Sequence, residues 1–306
     1  MTTKRALVTG ANGFLGRHVA KIFSDNDFTV SGIGHGKWER SEWEPWGLSY
    51  WKPCSITLEA VSSFIQKPDV IVHCAGSGSV GFSLANPMQD FEKTVSTTLT
   101  LLEYVRLSAP ESAFVYPSSA AVYGSVDSLP ISEVIPPAPV SPYGVHKKIA
   151  EDLICSYANH FSVKAVITRF FSLYGPGLKK QLLWDICTKA ENGNIQFNGT
   201  GNEIRDWLHV RDAARLLFIL SSHAQTAPLV INGGSGRATT VGEIVIEILE
   251  KMGIEDSPKF SQVLIRGDPK GYLADIRAAR GYGWKPEISL EDGIDEYIRW
   301  YRSGAR

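Results

Sequence analysis

The chain has 306 residues, 43% of them hydrophobic, and 31 lysines and arginines against 32 aspartates and glutamates leave a net charge of −1. That length supports one large core or a main domain with a smaller appended one, and the balanced charge argues against a surface built for nucleic acid or anionic lipid. Lys4 and Arg5 precede only a short apolar stretch ending at Gly10, and no run approaches the ~20 apolar residues of a membrane span, so neither a signal peptide nor membrane insertion is expected. The four cysteines, Cys54, Cys74, Cys155 and Cys187, lie far apart with no Cys-x-x-Cys spacing. No metal site is expected, and they read as reduced thiols of a cytoplasmic protein.

In chain order, the first strand is Arg5 to Thr9 and the first helix Phe14 to Ser24. Strands follow at Phe28 to Ile33, Val70 to His73, Ala113 to Tyr116 and Val163 to Thr168, with helices at Met88 to Leu107 and Tyr143 to Phe161. The strands are β-branched runs, and the helices repeat apolar residues at intervals of three and four. This alternation predicts an α/β fold, a Rossmann-type doubly wound parallel sheet closed by right-handed crossovers. After Phe170 the pattern loosens: Tyr174-Gly-Pro-Gly, Asn192-Gly-Asn and Asn198-Gly-Thr-Gly read as loops and small hairpins. Val210 to Ser221 reads as a helix and Leu229 to Asn232 as a strand, and two amphipathic helices, Val241 to Met252 and Leu290 to Tyr301, close the chain. The expected division is a dinucleotide-binding domain of residues 1–171 plus about 208–233. A smaller C-terminal α/β substrate domain takes about 172–207 plus 234–306.

Gly10, Gly13 and Gly16, with Ala11, Asn12, Phe14 and Leu15 between them, form a turn directly after the first strand and open the first helix. Missing Cβ atoms let such a turn close and let a pyrophosphate reach the amides of the helix N-terminus. The second strand of such folds usually ends in an acid that holds the adenosine ribose. Here Gly34 stands in its place, followed by His35, Lys37 and Arg40, which are placed to attract a 2′-phosphate. NADP(H) is therefore the favoured cofactor, with NAD(H) bound without the acid as the alternative. Trp38, Trp43, Trp46 and Trp51 crowd the same region and read as packing rather than as an adenine platform.

Tyr143 and Lys147 are four apart at the start of a helix, so both emerge from one face. An ammonium near the phenol favours phenolate, and Tyr143 then exchanges a proton with a substrate hydroxyl or carbonyl. Ser118 and Ser119 follow the fourth strand at the carboxyl edge of the sheet, where a hydroxyl polarises the same oxygen. The trio serves a carbinol-to-ketone interconversion.

Gly10 to Gly16, His73-Cys74-Ala75-Gly76, Ser119-Ala120-Ala121-Val122-Tyr123-Gly124, Tyr143-Gly144-Val145-His146-Lys147, Arg169 followed by Tyr174-Gly175-Pro176, and Arg205 to Val210 resemble the extended short-chain dehydrogenase/reductases that act on nucleotide sugars. The resemblance spans essentially the whole chain. It implies that Ser119 and Tyr143 contact the reacting oxygen and that Lys147 and Tyr143 meet the nicotinamide side. Gly10, Asn12, Gly13, Phe14, Leu15, Gly16, His35, Ser55 and Ala75 would hold the rest of the cofactor. Ser79, Ser172, Arg205, Arg266 and Asp268 would meet the nucleotide sugar, the arginines suiting a diphosphate. A homodimer through two long helices, Met88 to Leu107 and Tyr143 to Phe161, is also implied.

The departures carry information. Ala120 and Ala121 replace the acid pair of the family's 4,6-dehydratases, and Ala121 stands where the fucose-synthase branch has a cysteine. Ser172 and Thr94 occupy places of usual asparagines, and Ser55 that of an aspartate toward the adenine. These exchanges lead to an expected NADP(H)-dependent reductase of a nucleotide-linked 4-keto (6-deoxy) sugar. The alternatives are an NAD-dependent UDP-sugar 4-epimerase using the same trio and a non-catalytic cofactor sensor.

Overall fold

The computed structural model describes residues 3–263 and 271–304. Seven parallel strands form the central sheet: β1 (Arg5–Thr9), β2 (Thr29–Gly34), β3 (Leu48–Pro53), β4 (Val70–His73), β5 (Ala113–Ser119), β6 (Lys164–Phe170) and β7 (Leu229–Gly233). Their spatial order is β7-β6-β5-β4-β1-β2-β3. The chain runs outward from β1 to β3, then crosses back to place β4 on the other side of β1. Thr9 thereby lies opposite both Ile33 and His73, so the carboxyl ends of β1, β2 and β4 share one edge at the point where the winding reverses. Ligands of open parallel sheets bind at that reversal.

Both faces of the sheet are covered, and the strands alternate accordingly. Ala6, Val8, Val72, Val115 and Val166 point to one face, where Val19, Ala20 and Phe23 of α1 (Phe14–Ser24) meet Leu216, Leu217 and Leu220 of α6 (Val210–Ser221). Leu7, Ile71, Phe114 and Ile167 point to the other, against Val61 of α2 (Leu58–Phe64), Leu101 and Val105 of α3 (Thr97–Ser108) and Ile154 of α4 (Pro142–Phe161). Each such fully buried aliphatic side chain contributes about 1.5–3 kcal/mol.

A second cluster lies beyond β6. Leu183, Ile186 and Cys187 of α5 (Gln181–Glu191), Ile244, Val245 and Ile248 of α7 (Val241–Met252) and Ile294, Tyr297 and Ile298 of α8 (Leu290–Arg302) pack together. The expected small hairpins are not formed. The short strands instead pair over long range, Ser172–Tyr174 with Trp207–His209 and Ile204–Arg205 with Thr239–Thr240. The expected helix Met88 to Leu107 is also subdivided. A helix Pro87–Phe91 leads into a π turn Glu92–Ser96 before α3 begins. Among the described residues no helix is long and apolar enough to cross a membrane.

Candidate active site

The phosphate turn is built by close approach. A Cβ on Gly10 would stand 2.7 Å from the Ala75 nitrogen, and one on Gly16 would stand 2.2 Å from the Gly10 carbonyl oxygen. Gly10 also has φ +65°, which favours glycine. Gly13 caps α1 with no side-chain hydrogen bond and no acid in the first turn. The amides of that turn therefore face outward with positive character, a cradle fitted to a dinucleotide pyrophosphate. In front of them lies a 530 Å³ cavity. Gly10, Asn12, Gly13, His35, Ser55 and Ala75, all expected at the cofactor, line it together. Gly34, Cys54, Ile56, Cys74, Gly76, Glu92, Lys93 and Thr97 complete the wall. Phe14 and Leu15 contribute backbone to the turn while their side chains pack against the second cluster and the sheet cluster, respectively.

Asn12 Nδ2 donates to the His35 carbonyl at 3.4 Å, joining the turn to the end of β2. Gly34 has a different cause from the one expected. A Cβ there would stand 2.8 Å from Trp51 Cη2 and 3.3 Å from its Cζ3, so the Trp51 ring occupies the space of any side chain. Trp38 meets Trp51 edge-on at 5.2 Å, and Trp38 and Trp46 flank the Arg17 guanidinium. Of the cations expected near a 2′-phosphate, Lys37 and Arg40 are outside the cavity lining, and Arg40 pairs with Glu44 at 3.0 Å.

The three residues expected to act on the substrate come from β5 and α4. Strand β5 runs three residues further than expected, to Ser119, and this separates the roles of the two serines. Ser118 is buried and donates to Glu151 Oε1 at 2.6 Å; Glu151 also receives Arg169 through Nε at 3.1 Å and Nη2 at 2.7 Å. Ser119 begins the 3₁₀ turn Ala120–Val122 and hydrogen-bonds the Tyr143 phenol. Ser141 caps α4, accepting from the Gly144 amide at 3.2 Å, with Pro142 at the first helical position. Gly144 lets the helix tip settle on the Ser119 turn, since a Cβ there would be 2.5 Å from the Ala121 carbonyl oxygen. The Tyr143 amide donates to the buried Ser83 Oγ at 3.0 Å. Ser79 caps the helix Val80–Ala85 that carries Ser83.

Lys147 is buried, donates from Nζ to the Pro117 carbonyl at 2.9 Å and lies 4.6 Å from the Tyr116 ring centroid. Burial brings its ammonium down to about 8, opposed by Cys74, Glu151 and Asp90. Ser119, Tyr143 and Lys147 are not among the residues that line the cavity, although Cys74, whose charge acts on Lys147, is. Burial holds the Tyr143 phenol above its ordinary value, and the Ser119 hydrogen bond opposes that. His73, behind the trio, bonds Thr9 Oγ1 at 2.7 Å and Thr97 Oγ1 at 3.3 Å, and burial lowers it to about 3.

On the far side, the Ser172 amide donates to the Asp206 carbonyl at 2.9 Å. The buried Asp206 carboxylate receives the amides of Ser235, Gly236 and Ala274 and the Ser235 hydroxyl, fixing the strand that carries Arg205. Arg205 Nη1 donates to the Ile204 carbonyl at 2.9 Å. Arg266 and Asp268 lie outside the described residues. Sequence reasoning missed Lys93, in the π turn, and Thr97, at the start of α3, both in the cavity wall, and no periodicity signals such a turn.

A pyrophosphate cradle at the sheet reversal and a Ser-Tyr-Lys trio on β5 and α4 define a nicotinamide-dependent enzyme of the short-chain dehydrogenase/reductase type. Residues 6–234 match the NAD dependent epimerase/dehydratase family, and the chain belongs to it. A UDP-glucose 4-epimerase of Azospirillum brasilense is 29% identical over 98% of this chain and 92% of its own length. The crystal structure of a UDP-glucose 4-epimerase from Thermotoga maritima with UDP-glucose superposes with a TM-score of 0.88 at 25% identity, over 99% of this chain and 100% of that one. A UDP-glucuronic acid 4-epimerase from Bacillus cereus, in complex with UDP-glucuronic acid and NAD, superposes with a TM-score of 0.86 at 25% identity, over 98% and 99%.

Proposed function

We propose that this enzyme is an NAD-dependent 4-epimerase of a UDP-sugar. The 4-keto-sugar reductase, favoured from the sequence, becomes the second reading. The observation that carries the change is Trp51 against Gly34: the missing ribose acid follows from packing, and the argument for a 2′-phosphate loses its basis. The similarity to UDP-sugar 4-epimerases supports the same reading. NAD supplies the acceptor and then the donor of one hydride at the sugar carbon. The chain's own residues do the rest. Ser119 and Tyr143 hold the reacting oxygen, Tyr143 removes its proton and later returns it, and Lys147 orients the ribose beside them. Ala120 and Ala121 offer no acid or base for loss of water. Ser79, Ser172, Arg205 and, by resemblance, Arg266 and Asp268 are the proposed contacts to the UDP-sugar.

The exposed Leu84, Met88, Phe91, Leu99 and Leu107, with Val145 and Phe161 of α4, form the proposed homodimer face. Light scattering of the purified protein tests it, and a monomer at micromolar concentration would refute it.

The deciding experiment incubates the NAD-loaded protein with UDP-glucose, UDP-N-acetylglucosamine and UDP-glucuronic acid in turn. The 4-epimer of one of them should accumulate without net consumption of nicotinamide. Stoichiometric oxidation of NADPH by a 4-keto sugar, with no epimer formed, would restore the reductase.

A further inference from the structure

Asp90 and His146 have no part in the trio, yet His146 lies between Tyr143 and Lys147 along α4 and the charge of Asp90 acts on both. Asp90 sits in the helix Pro87–Phe91 with none of its surface exposed. Its Oδ2 accepts from His146 Nδ1 at 2.5 Å, and its Oδ1 has no hydrogen-bond partner. A carboxylate so buried is costly unless a charge or several donors face it. His146 lies on α4 between Tyr143 and Lys147, its ring edge-on to Phe91 at 5.4 Å. Its side chain keeps 12% exposure, against none for Asp90.

The charged and titratable groups facing Tyr143 come from four elements. On α4 these are His146, Lys147 and Glu151, and on β5 they are Tyr116 and the Ser119 hydroxyl. On β4 they are His73 and Cys74, which feel Lys147, and on the Pro87–Phe91 helix the group is Asp90. Glu151 is neutralised by Arg169 in a two-pronged pair, and Lys147 is directed to the Pro117 carbonyl. Asp90 is the carboxylate whose charge acts on Tyr143 and Lys147 together. With an imidazolium at His146 the pair is neutral; with a neutral imidazole it carries one negative charge beside the phenol.

We propose that Asp90 and His146 are a positioning pair for Tyr143, fixing through their joint charge the pH at which its phenol gives up and takes back a proton. The proposal rests on Tyr143 being the acid and base of the reaction. A net negative charge opposes phenolate, so the pair sets how much of the enzyme is competent to begin turnover.

The test reads Tyr143 directly. The ultraviolet phenolate titration of NAD-saturated protein, without sugar, is taken for each variant and for the same variant carrying Tyr143→Phe, and the difference isolates this tyrosine. Asp90→Asn removes the negative charge and should lower the midpoint by about one pH unit. His146→Gln keeps a donor toward Asp90 without its countercharge and should raise the midpoint. Midpoints unmoved in both variants, with NAD affinity preserved, would overturn the pairing, as would a rise with Asp90→Asn or a fall with His146→Gln. Should Asp90→Asn fail to fold, His146→Gln alone decides. Full turnover retained by Tyr143→Phe would overturn the role of Tyr143 itself, a distinguishable result.

Discussion

The contact between Gly34 and Trp51 makes a quantitative prediction about the cofactor site. Replacing Gly34 with alanine puts a carbon 2.8 Å from Trp51 Cη2, well inside ordinary contact. The ring has little room to retreat. Trp38 packs on it edge-to-face, and Gly32 stands so close that a Cβ there would be 3.2 Å from its Cε3. Overpacking of this kind costs about 1–3 kcal/mol, so Gly34→Ala should destabilise by about 2 kcal/mol. Trp51→Leu opens the space at its own cost, and the double variant should recover most of the alanine penalty as a coupling of 1–3 kcal/mol, roughly. Urea unfolding with a constant m-value measures the cycle. Gly34→Asp with Trp51→Leu should then restore the ribose acid and tighten NAD relative to NADP in a binding titration. If Gly34→Ala costs less than about 0.5 kcal/mol with Trp51 in place, the packing explanation fails. A wild-type protein that prefers NADP would return the cofactor to the sequence expectation.

Three further outcomes follow from the site. Tyr143→Phe should lower kcat by roughly 10²–10⁴ while leaving the NAD dissociation constant unchanged, and retained turnover would sink the mechanism. Lys147, brought to about 8 by burial, should lose its charge above that pH, giving an alkaline limb in the rate profile there; a profile flat to pH 10 would refute it. Burial lowers His73 to about 3 and His209 to about 4. Below about 6.5 the unfolded chain takes up protons at these two positions that the folded chain refuses, so stability is lost as pH falls through that window. At pH 5 the two together should remove about 4 kcal/mol relative to pH 7, order of magnitude only. His209→Asn should reduce that loss by about half in urea unfolding at both pH values.

What the sequence made legible was what local spacing dictates. The strand-turn-helix with its three glycines, the Tyr-x-x-x-Lys step of α4 and the ends of β1, β4 and α1 were all readable, because period and punctuation fix them within a few residues. Strand β3 escaped. Leu48 to Pro53 holds Ser49, Tyr50 and Lys52 among its residues, and an edge strand half open to water carries no continuous apolar run. Helix α5 escaped because glycines at 175, 177 and 193 frame it and draw the eye to turns, although Leu183, Ile186 and Cys187 repeat at helical spacing.

The remaining gap was one of long-range contact. Nothing local says that Trp51, seventeen residues after Gly34, fills the space of the missing acid, so the absence of a charge was read as a preference for a phosphate. Nothing local separates Ser118 from Ser119 either; alternation along β5 sends one to Glu151 and the other to Tyr143. The Asp90–His146 pair is the same lesson in reverse. Fifty-six residues apart, each reads alone as an ordinary polar residue on a helix. Only the packing of the Pro87–Phe91 helix against α4 brings the carboxylate to His146, where its charge also acts on Tyr143.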